Sequence, residues 1–261
     1  MSTQNPFSLA GKTALVAGAS RGIGLAIGRE TARAGARTIL ASRSLTALAG
    51  AARLLRAEGF QAEAIELDVA NRESREKAAE ALPPLDILIN VAGINQRKKF
   101  ANYTPAEYQR IMDTNLNGIF ELTQLVGRGM VERGLGGKIV NIGSLMSVAG
   151  LPFVTVYAIS KAGIAGLTRS LAAEWGRYNI QVNCIAPGFI VTDLNREMWQ
   201  LPQMQAWLKG VQAMPRTGTP EEIAAVAVFL ASPASNYVTG QVIQVDGGYT
   251  TTAVWPYEVP E

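Results

Sequence analysis

Seven short apolar runs, each followed by a longer amphipathic stretch, constrain this chain more than any other feature. They are KTALVAG (Lys12 to Gly18), ARTILAS (Ala36 to Ser42), AEAIELDV (Ala62 to Val69), LDILINVAG (Leu85 to Gly93), GKIVNIGS (Gly137 to Ser144), IQVNCIAPG (Ile180 to Gly188) and QVIQVDGG (Gln241 to Gly248). Helical patterns fill the intervals, among them Gly22 to Ala34, Leu45 to Glu58, Pro105 to Gly134 and Val156 to Gly176. Strands that are apolar throughout and separated by helices describe a parallel sheet covered on both faces, with right-handed crossovers. The expected fold is therefore α/β, a doubly wound seven-stranded parallel sheet with helices on both faces. No linker, repeat or low-complexity tract interrupts the alternation, so residues 1–261 read as one domain. Only Ile190 to Pro215 breaks the rhythm, with Met198, Trp199, Met204, Trp207 and Met214. It reads either as an extra helical turn packed on the core or as a lid, about 190–215, with apolar side chains over a ligand. The tail after Gly248 carries aromatics that dock on a neighbouring subunit or belong to a disordered end.

Composition closes several routes to function. The chain has no histidine and one cysteine, Cys184. An intramolecular disulfide and a Cys-based zinc site are excluded, and no metal site is expected. Ser-His-Asp and Cys-His nucleophiles are excluded as well. The net charge is +3, and Arg97, Lys98 and Lys99 form the one run of three basic residues. That run reads as a solvated loop rather than a nucleic-acid site. No apolar stretch reaches membrane length, and the N-terminal residues lack a signal-peptide pattern. A soluble cytoplasmic protein with no membrane or nucleic-acid partner is the expectation.

The first apolar run ends in AGASRGIG, Ala17 to Gly24. Gly18, Gly22 and Gly24 between a strand and a helix permit a tight turn and let backbone approach a pyrophosphate. The free N–H groups and dipole of the following helix favour the negative charge. The second run ends LASRS, with no acidic residue between Thr38 and Leu48 to accept a ribose 2′-OH. Arg43 lies just past that strand and Arg21 inside the glycine turn. Two guanidiniums suit a 2′-phosphate, so NADP(H) is expected over NAD(H). Asp68, at the end of the third run, meets the adenine amino group or caps a helix. Tyr157 and Lys161 lie four apart in a helical pattern and so share one face. A free tyrosine titrates near pH 10, and a neighbouring ammonium lowers that value. Tyr157 can then serve as an acid or base where no histidine exists.

Taken together, AGASRGIG, NVAG (Asn90 to Gly93), Asn115 in DTNLNG, Ser144 in NIGS, YAISK (Tyr157 to Lys161) and PGFIVT (Pro187 to Thr192) resemble the short-chain dehydrogenase/reductase family over nearly the whole chain. That resemblance implies a single-domain Rossmann fold, usually assembled as a homotetramer. It implies that Tyr157 exchanges a proton with the substrate oxygen and that Ser144 hydrogen-bonds that oxygen. Lys161 would bind the nicotinamide ribose and lower the Tyr157 pKa, and Asn115 would hold a helix distortion and a relay water. The cofactor would lie along Gly18, Ser20, Arg21, Gly22, Ile23 and Gly24, then Ser42, Arg43, Asp68 and Val69. It would continue past Asn90, Ala92 and Gly93 to Tyr157, Lys161, Pro187, Gly188, Ile190 and Thr192. Two positions depart from the family pattern: Ala17 replaces a threonine and Val91 an asparagine, each removing a polar tether between turns. Ala70 to Pro84 also looks short, as if one helix were trimmed.

INQRKKF (Ile94 to Phe100), GSLMS around Ser144 and the stretch from Pro215 to Gly248 resemble the gluconate 5-dehydrogenase and 2-deoxygluconate 3-dehydrogenase branch. This implies a small-molecule ketone/alcohol substrate, a keto sugar acid or polyol, with Arg97 or Lys98 available to a carboxylate. Parts of the pattern recur in 3-oxoacyl-carrier-protein reductases, and the apolar residues of 190–215 point to a bulky or aryl ketone. A dinucleotide sensor without turnover shares the fold but has no need of the Tyr, Lys and Ser set.

Overall fold

The computed structural model describes residues 5–253; Trp255 and Tyr257 of the aromatic tail lie outside the described residues. All seven expected strands form: β1 (Thr13–Ala17), β2 (Arg37–Ser42), β3 (Ala62–Glu66), β4 (Ile87–Asn90), β5 (Gly137–Ile142), β6 (Ile180–Pro187) and β7 (Val242–Val245). They pair in parallel in the order β3-β2-β1-β4-β5-β6-β7. Alternate residues of each strand serve opposite faces. Ala14 and Val16 of β1 join Leu40, Ile89 and Val140 in a core beneath α1 (Gly22–Arg33), α2 (Leu45–Ala57) and α9 (Pro220–Ala231). Leu15 and Ala17 join Ile39, Leu88 and Ile139 on the other face, under α3 (Arg72–Ala81), α5 (Gly118–Arg133) and α6 (Thr155–Trp175). Strand order reverses between β1 and β4. In a doubly wound sheet that reversal opens a crevice at the carboxyl ends of the strands.

The helix expected over Pro105 to Gly134 is divided. α4 (Pro105–Met112) opens with a capping box between Thr104 and Glu107 and passes through a π-helical turn, Asp113–Asn117, into α5. The wide turn swings Asn115 inward, where it is fully buried. Single π turns inside α-helices are frequent at functional sites, and this one is tied to a distant partner, Ile94, through Asn115. α3 is 10 residues long and capped by Asn71, whose side chain accepts from the Ser74 N–H. Asp68 is therefore not the cap.

Between β6 and α9, Ile190 to Pro215 folds as α7 (Arg196–Gln200) and α8 (Pro202–Val211). Trp199 and Trp207 each pack 5.2 Å, centroid to centroid, from Phe189, and Tyr249 closes the cluster from the C-terminal side. The segment packs on the body of the protein through this cluster and also borders a cavity. Trp199 is buried and Met198 half-buried, and both line that cavity.

Candidate active site

The crevice at the strand ends is a cleft of about 420 Å³. Gly18, Ser20, Arg21, Gly22, Ile23 and Gly24 form one wall, and Ser42 and Arg43 stand at the end of β2. Leu67, Asp68 and Val69 follow β3, and Ala92 and Gly93 follow β4. Gly18 has φ 101°, and a side chain there would stand 2.5 Å from the Ala92 nitrogen. A side chain on Gly24 would collide with the Gly18 carbonyl oxygen. The turn thus needs glycine at both positions. No side chain caps α1, which has no acidic residue in its first turn, so its leading N–H groups are left for a ligand. Neither Arg21 nor Arg43 takes part in an ion pair among the described residues. These donors fit a dinucleotide phosphate with an added charge near the β2 end.

Ala17 and Val91 do not loosen the turn. The Ala17 carbonyl accepts from the N–H groups of Val91 and Ala92 at 2.8 Å, and Gly18 and Ala19 donate to the Ala41 carbonyl at 2.8 and 3.0 Å. Backbone bonds therefore tie the three turns together. Asn90, expected along the adenosine side, instead turns into the core. It is 2% exposed and donates to Thr123 Oγ1 and Asn141 Oδ1, both at 2.9 Å. As the last residue of β4 it faces the α5 side, while the chain beyond it forms the cleft wall. Pro187 is likewise buried at the end of β6. Gly188, Ile190 and Thr192 beyond it reach the cavity.

Behind Gly93 and Ile142, which line the cleft, the structure brings Asn115, Ser144, Tyr157 and Lys161 together through shared neighbours. Asn115 Oδ1 accepts from the Ile94 N–H at 2.8 Å, and its amide donates to the Ile94 carbonyl at 2.8 Å and Ser160 Oγ at 3.0 Å. Ser160 in turn donates to the Tyr157 carbonyl at 2.7 Å. Lys161 Nζ donates to the Ile142 carbonyl at 2.7 Å and lies 5.8 Å from the centre of the Tyr157 ring. A methyl group on Gly93 would stand 3.4 Å from Lys161 Nζ and 3.5 Å from Asn115 Oδ1, so Gly93 leaves room beside both. Ser147 Oγ accepts from the Ser144 N–H at 3.2 Å and donates to the Lys161 carbonyl at 2.9 Å. This fixes the Ser144 turn against α6.

The electrostatics differ from the sequence expectation at Tyr157. Burial raises its pKa, and the neighbouring Ser144 hydroxyl offsets only part of that. Burial also brings Lys161 down to about 8, against a smaller opposing influence from Cys184. Near neutrality the site holds a neutral phenol beside a largely protonated amine. Sequence reading missed the Ile142 carbonyl that receives Lys161, since a backbone acceptor carries no residue signature.

A second cavity, about 470 Å³, adjoins the cleft across Ile23, Thr192 and Leu194, which line both. Asn95, Arg97, Phe189, Met198 and Trp199 line it further. Sequence reading offered Arg97 or Lys98 to a carboxylate, and the structure separates them. Lys98 is committed to Glu107 at 2.7 Å. Arg97 is exposed, its Nη1 3.2 Å from Met198 Sδ, and it has no carboxylate partner among the described residues.

This fold, glycine turn and Tyr-Lys-Ser-Asn group together define a family. A short-chain dehydrogenase family model, described as enoyl-(acyl carrier protein) reductase, matches residues 18–250. The chain belongs to the short-chain dehydrogenase/reductase family. It is 38% identical to gluconate 5-dehydrogenase of Gluconobacter oxydans, across 97% of this chain and 100% of that one. It is 42% identical to a 3-oxoacyl-[acyl-carrier-protein] reductase of Pseudomonas aeruginosa, across 92% of this chain and 98% of that one. Among solved structures, a gluconate 5-dehydrogenase from Burkholderia cenocepacia in complex with NADP and tartrate superposes with a TM-score of 0.90. It shares 38% identity and covers 95% of this chain and 98% of its own.

Proposed function

We propose that this protein is an NADP(H)-dependent oxidoreductase that interconverts a keto sugar acid and its secondary alcohol. The observation that carries the substrate class is Arg97, which lines the cavity beside the cleft and has no carboxylate partner among the described residues. A permanently charged planar fork suits a carboxylate. The Burkholderia relative, whose structure holds NADP together with the dicarboxylate tartrate, supports the same pairing. Arg21 and Arg43 support NADP(H), with the pyrophosphate at the uncapped start of α1.

Bound in the cleft, the nicotinamide supplies or accepts the hydride. The chain supplies placement and the proton. Tyr157, held as the neutral phenol, donates its proton to the carbonyl oxygen in the reducing direction. Ser144 orients that oxygen. Lys161 stabilises the phenolate left behind, and Asn115 with the π turn fixes the site next to Lys161. A homotetramer in the cytoplasm is the assembly and place we infer, with α5 and α6, which expose Phe120 and Ile159, at an interface.

The test compares Arg97→Met with wild type on 5-keto-D-gluconate and on a neutral ketose of similar size. The expected result is a kcat/KM loss of roughly tenfold or more confined to the acid, the worth of a charge-assisted contact. Equal losses on both substrates would remove Arg97 as the carboxylate receptor. Tyr157→Phe should abolish turnover and leave NADPH binding intact.

A further inference from the structure

Ile94 to Lys98 runs along the cavity wall outside any strand or helix, and its burial alternates residue by residue. Ile94, Gln96 and Lys98 are half-buried, whereas Asn95 and Arg97 are exposed and face the cavity. Each half-buried residue is tied down. Ile94 is held on both its N–H and its carbonyl by Asn115. The Gln96 amide donates to Glu107 Oε1 at 2.5 Å, its Oε1 accepts from Arg110 at 2.5 Å and its carbonyl accepts from Tyr103 at 2.5 Å. Lys98 donates from Nζ to both Glu107 oxygens at 2.9 and 2.7 Å, and its N–H bonds the Phe153 carbonyl at 2.8 Å.

Two of these three anchors converge on the Glu107 carboxylate. The same carboxylate accepts from the Thr104 N–H at 2.8 Å and Thr104 Oγ1 at 3.1 Å, closing the capping box of α4. Lys98, then the Thr104 N–H and Gln96, hold the Glu107 pKa at about 2, so the carboxylate stays ionised at working pH. α4 continues into the π turn that carries Asn115. One side chain therefore joins the substrate wall to the element that carries Asn115.

We propose that Glu107 is the positioning residue for acid selectivity: through Lys98 and Gln96 it fixes the path of the segment that presents Arg97 and Asn95 to the cavity. It touches neither substrate nor cofactor. By neutralising Lys98 it also leaves Arg97 as the single uncommitted cation on this segment facing the cavity, so an acid substrate meets one receptor in one place. Asn95, two residues earlier on the same side, then presents an amide to the hydroxyl-bearing part of the substrate. The inference rests on the keto sugar acid reading above.

The test uses two variants, each assayed on 5-keto-D-gluconate and on the neutral ketose, with thermal melting as the control for folding. Glu107→Gln keeps an oxygen for the Thr104 cap but loses the charge. Lys98→Met loses the same ion pair and leaves the capping box untouched. The expected result is a rise of roughly tenfold in KM for the acid in either variant, with kcat and the neutral-ketose constants unchanged, because a small misplacement of a binding group is enough to cost that much. The double variant should lose no more than Glu107→Gln alone, since Lys98 acts only through Glu107. Equal losses on both substrates, or an unchanged acid preference in both variants, would overturn the proposal. If wild type itself shows no preference for the acid, the substrate reading fails and this inference with it. A wild-type preference that survives in both variants would sink this inference alone.

Discussion

Replacing Arg43 with alanine probes the cofactor side at the end of β2. Arg43 follows β2, where the family's NAD-type sites carry an acid, and Arg21 faces the same cleft from the glycine turn. Both side chains are exposed, and neither forms an ion pair among the described residues. A unit charge 4 Å from another is worth about 1 kcal/mol in water and about 4 kcal/mol near a protein surface. Exposure keeps each arginine toward the lower end, about 1–2 kcal/mol. Each substitution should then weaken NADPH binding by roughly five- to thirtyfold. NADH, lacking the 2′-phosphate, should lose almost nothing. Fluorescence titration of both cofactors against wild type, Arg43→Ala and Arg21→Ala reads this directly. The wild-type advantage for NADPH should also shrink as salt rises from 0.05 to 0.5 M, where the screening length falls to a few ångströms (about 4 Å). An Arg43→Ala protein that loses NADPH and NADH equally would refute the assignment, as would a salt-independent NADPH preference.

Other predictions follow from the same geometry. Lys138 is buried on β5, its Nζ bonded among the described residues only to Ser235 Oγ at 3.2 Å, and burial brings its pKa down to about 8. Its folded pKa lies below the unfolded value near 10.4, so the unfolded chain binds more protons across that window and stability should rise with pH between about 8 and 10.4. Lys138→Met should flatten that rise and stabilise the protein at pH 7 by about 1 kcal/mol after allowance for screening, read by denaturant melts across pH. Gly24→Ala forces a methyl into the Gly18 carbonyl and should abolish the rise in melting temperature that NADPH gives wild type, while costing about 1–3 kcal/mol of stability. Turnover in the reducing direction should decline on an alkaline limb at or above pH 8, where Lys161 loses its charge; Lys161→Met should lack that limb in whatever activity it retains.

The inner strands were legible because each is buried along nearly its whole length, as a sheet covered on both faces requires, whereas the edge strand β3, AEAIE, is only partly buried. The glycine turn was legible because its chemistry is backbone geometry, and residues such as Gly18 and Gly24 report that geometry directly. What sequence could not supply is what depends on distant partners. The π turn at Asp113–Asn117 is the helix distortion that the family resemblance implied at Asn115, but its long-range tie from Asn115 to Ile94 has no local pattern in DTNLNG. Asn90 is the last residue of β4 and turns into the core, whereas Ser144 lies two residues past β5 and turns toward Tyr157, a difference the two motifs do not spell out. The choice between Arg97 and Lys98 needed Glu107, 9 residues further on from Lys98. The lowered Tyr157 pKa expected from Lys161 alone is reversed by burial, which a helical spacing of four does not reveal.

The central claim is hydride transfer from NADPH to a keto acid, and initial-rate loss of NADPH absorbance tests it most directly. The purified protein would be given 5-keto-D-gluconate, a neutral ketose, an acetoacetyl thioester and a bulky aryl ketone, with NADH as the control cofactor. The account predicts turnover with NADPH that is highest for the keto acid and much lower with NADH. Turnover confined to the thioester or the aryl ketone, or equal use of both cofactors, would contradict it.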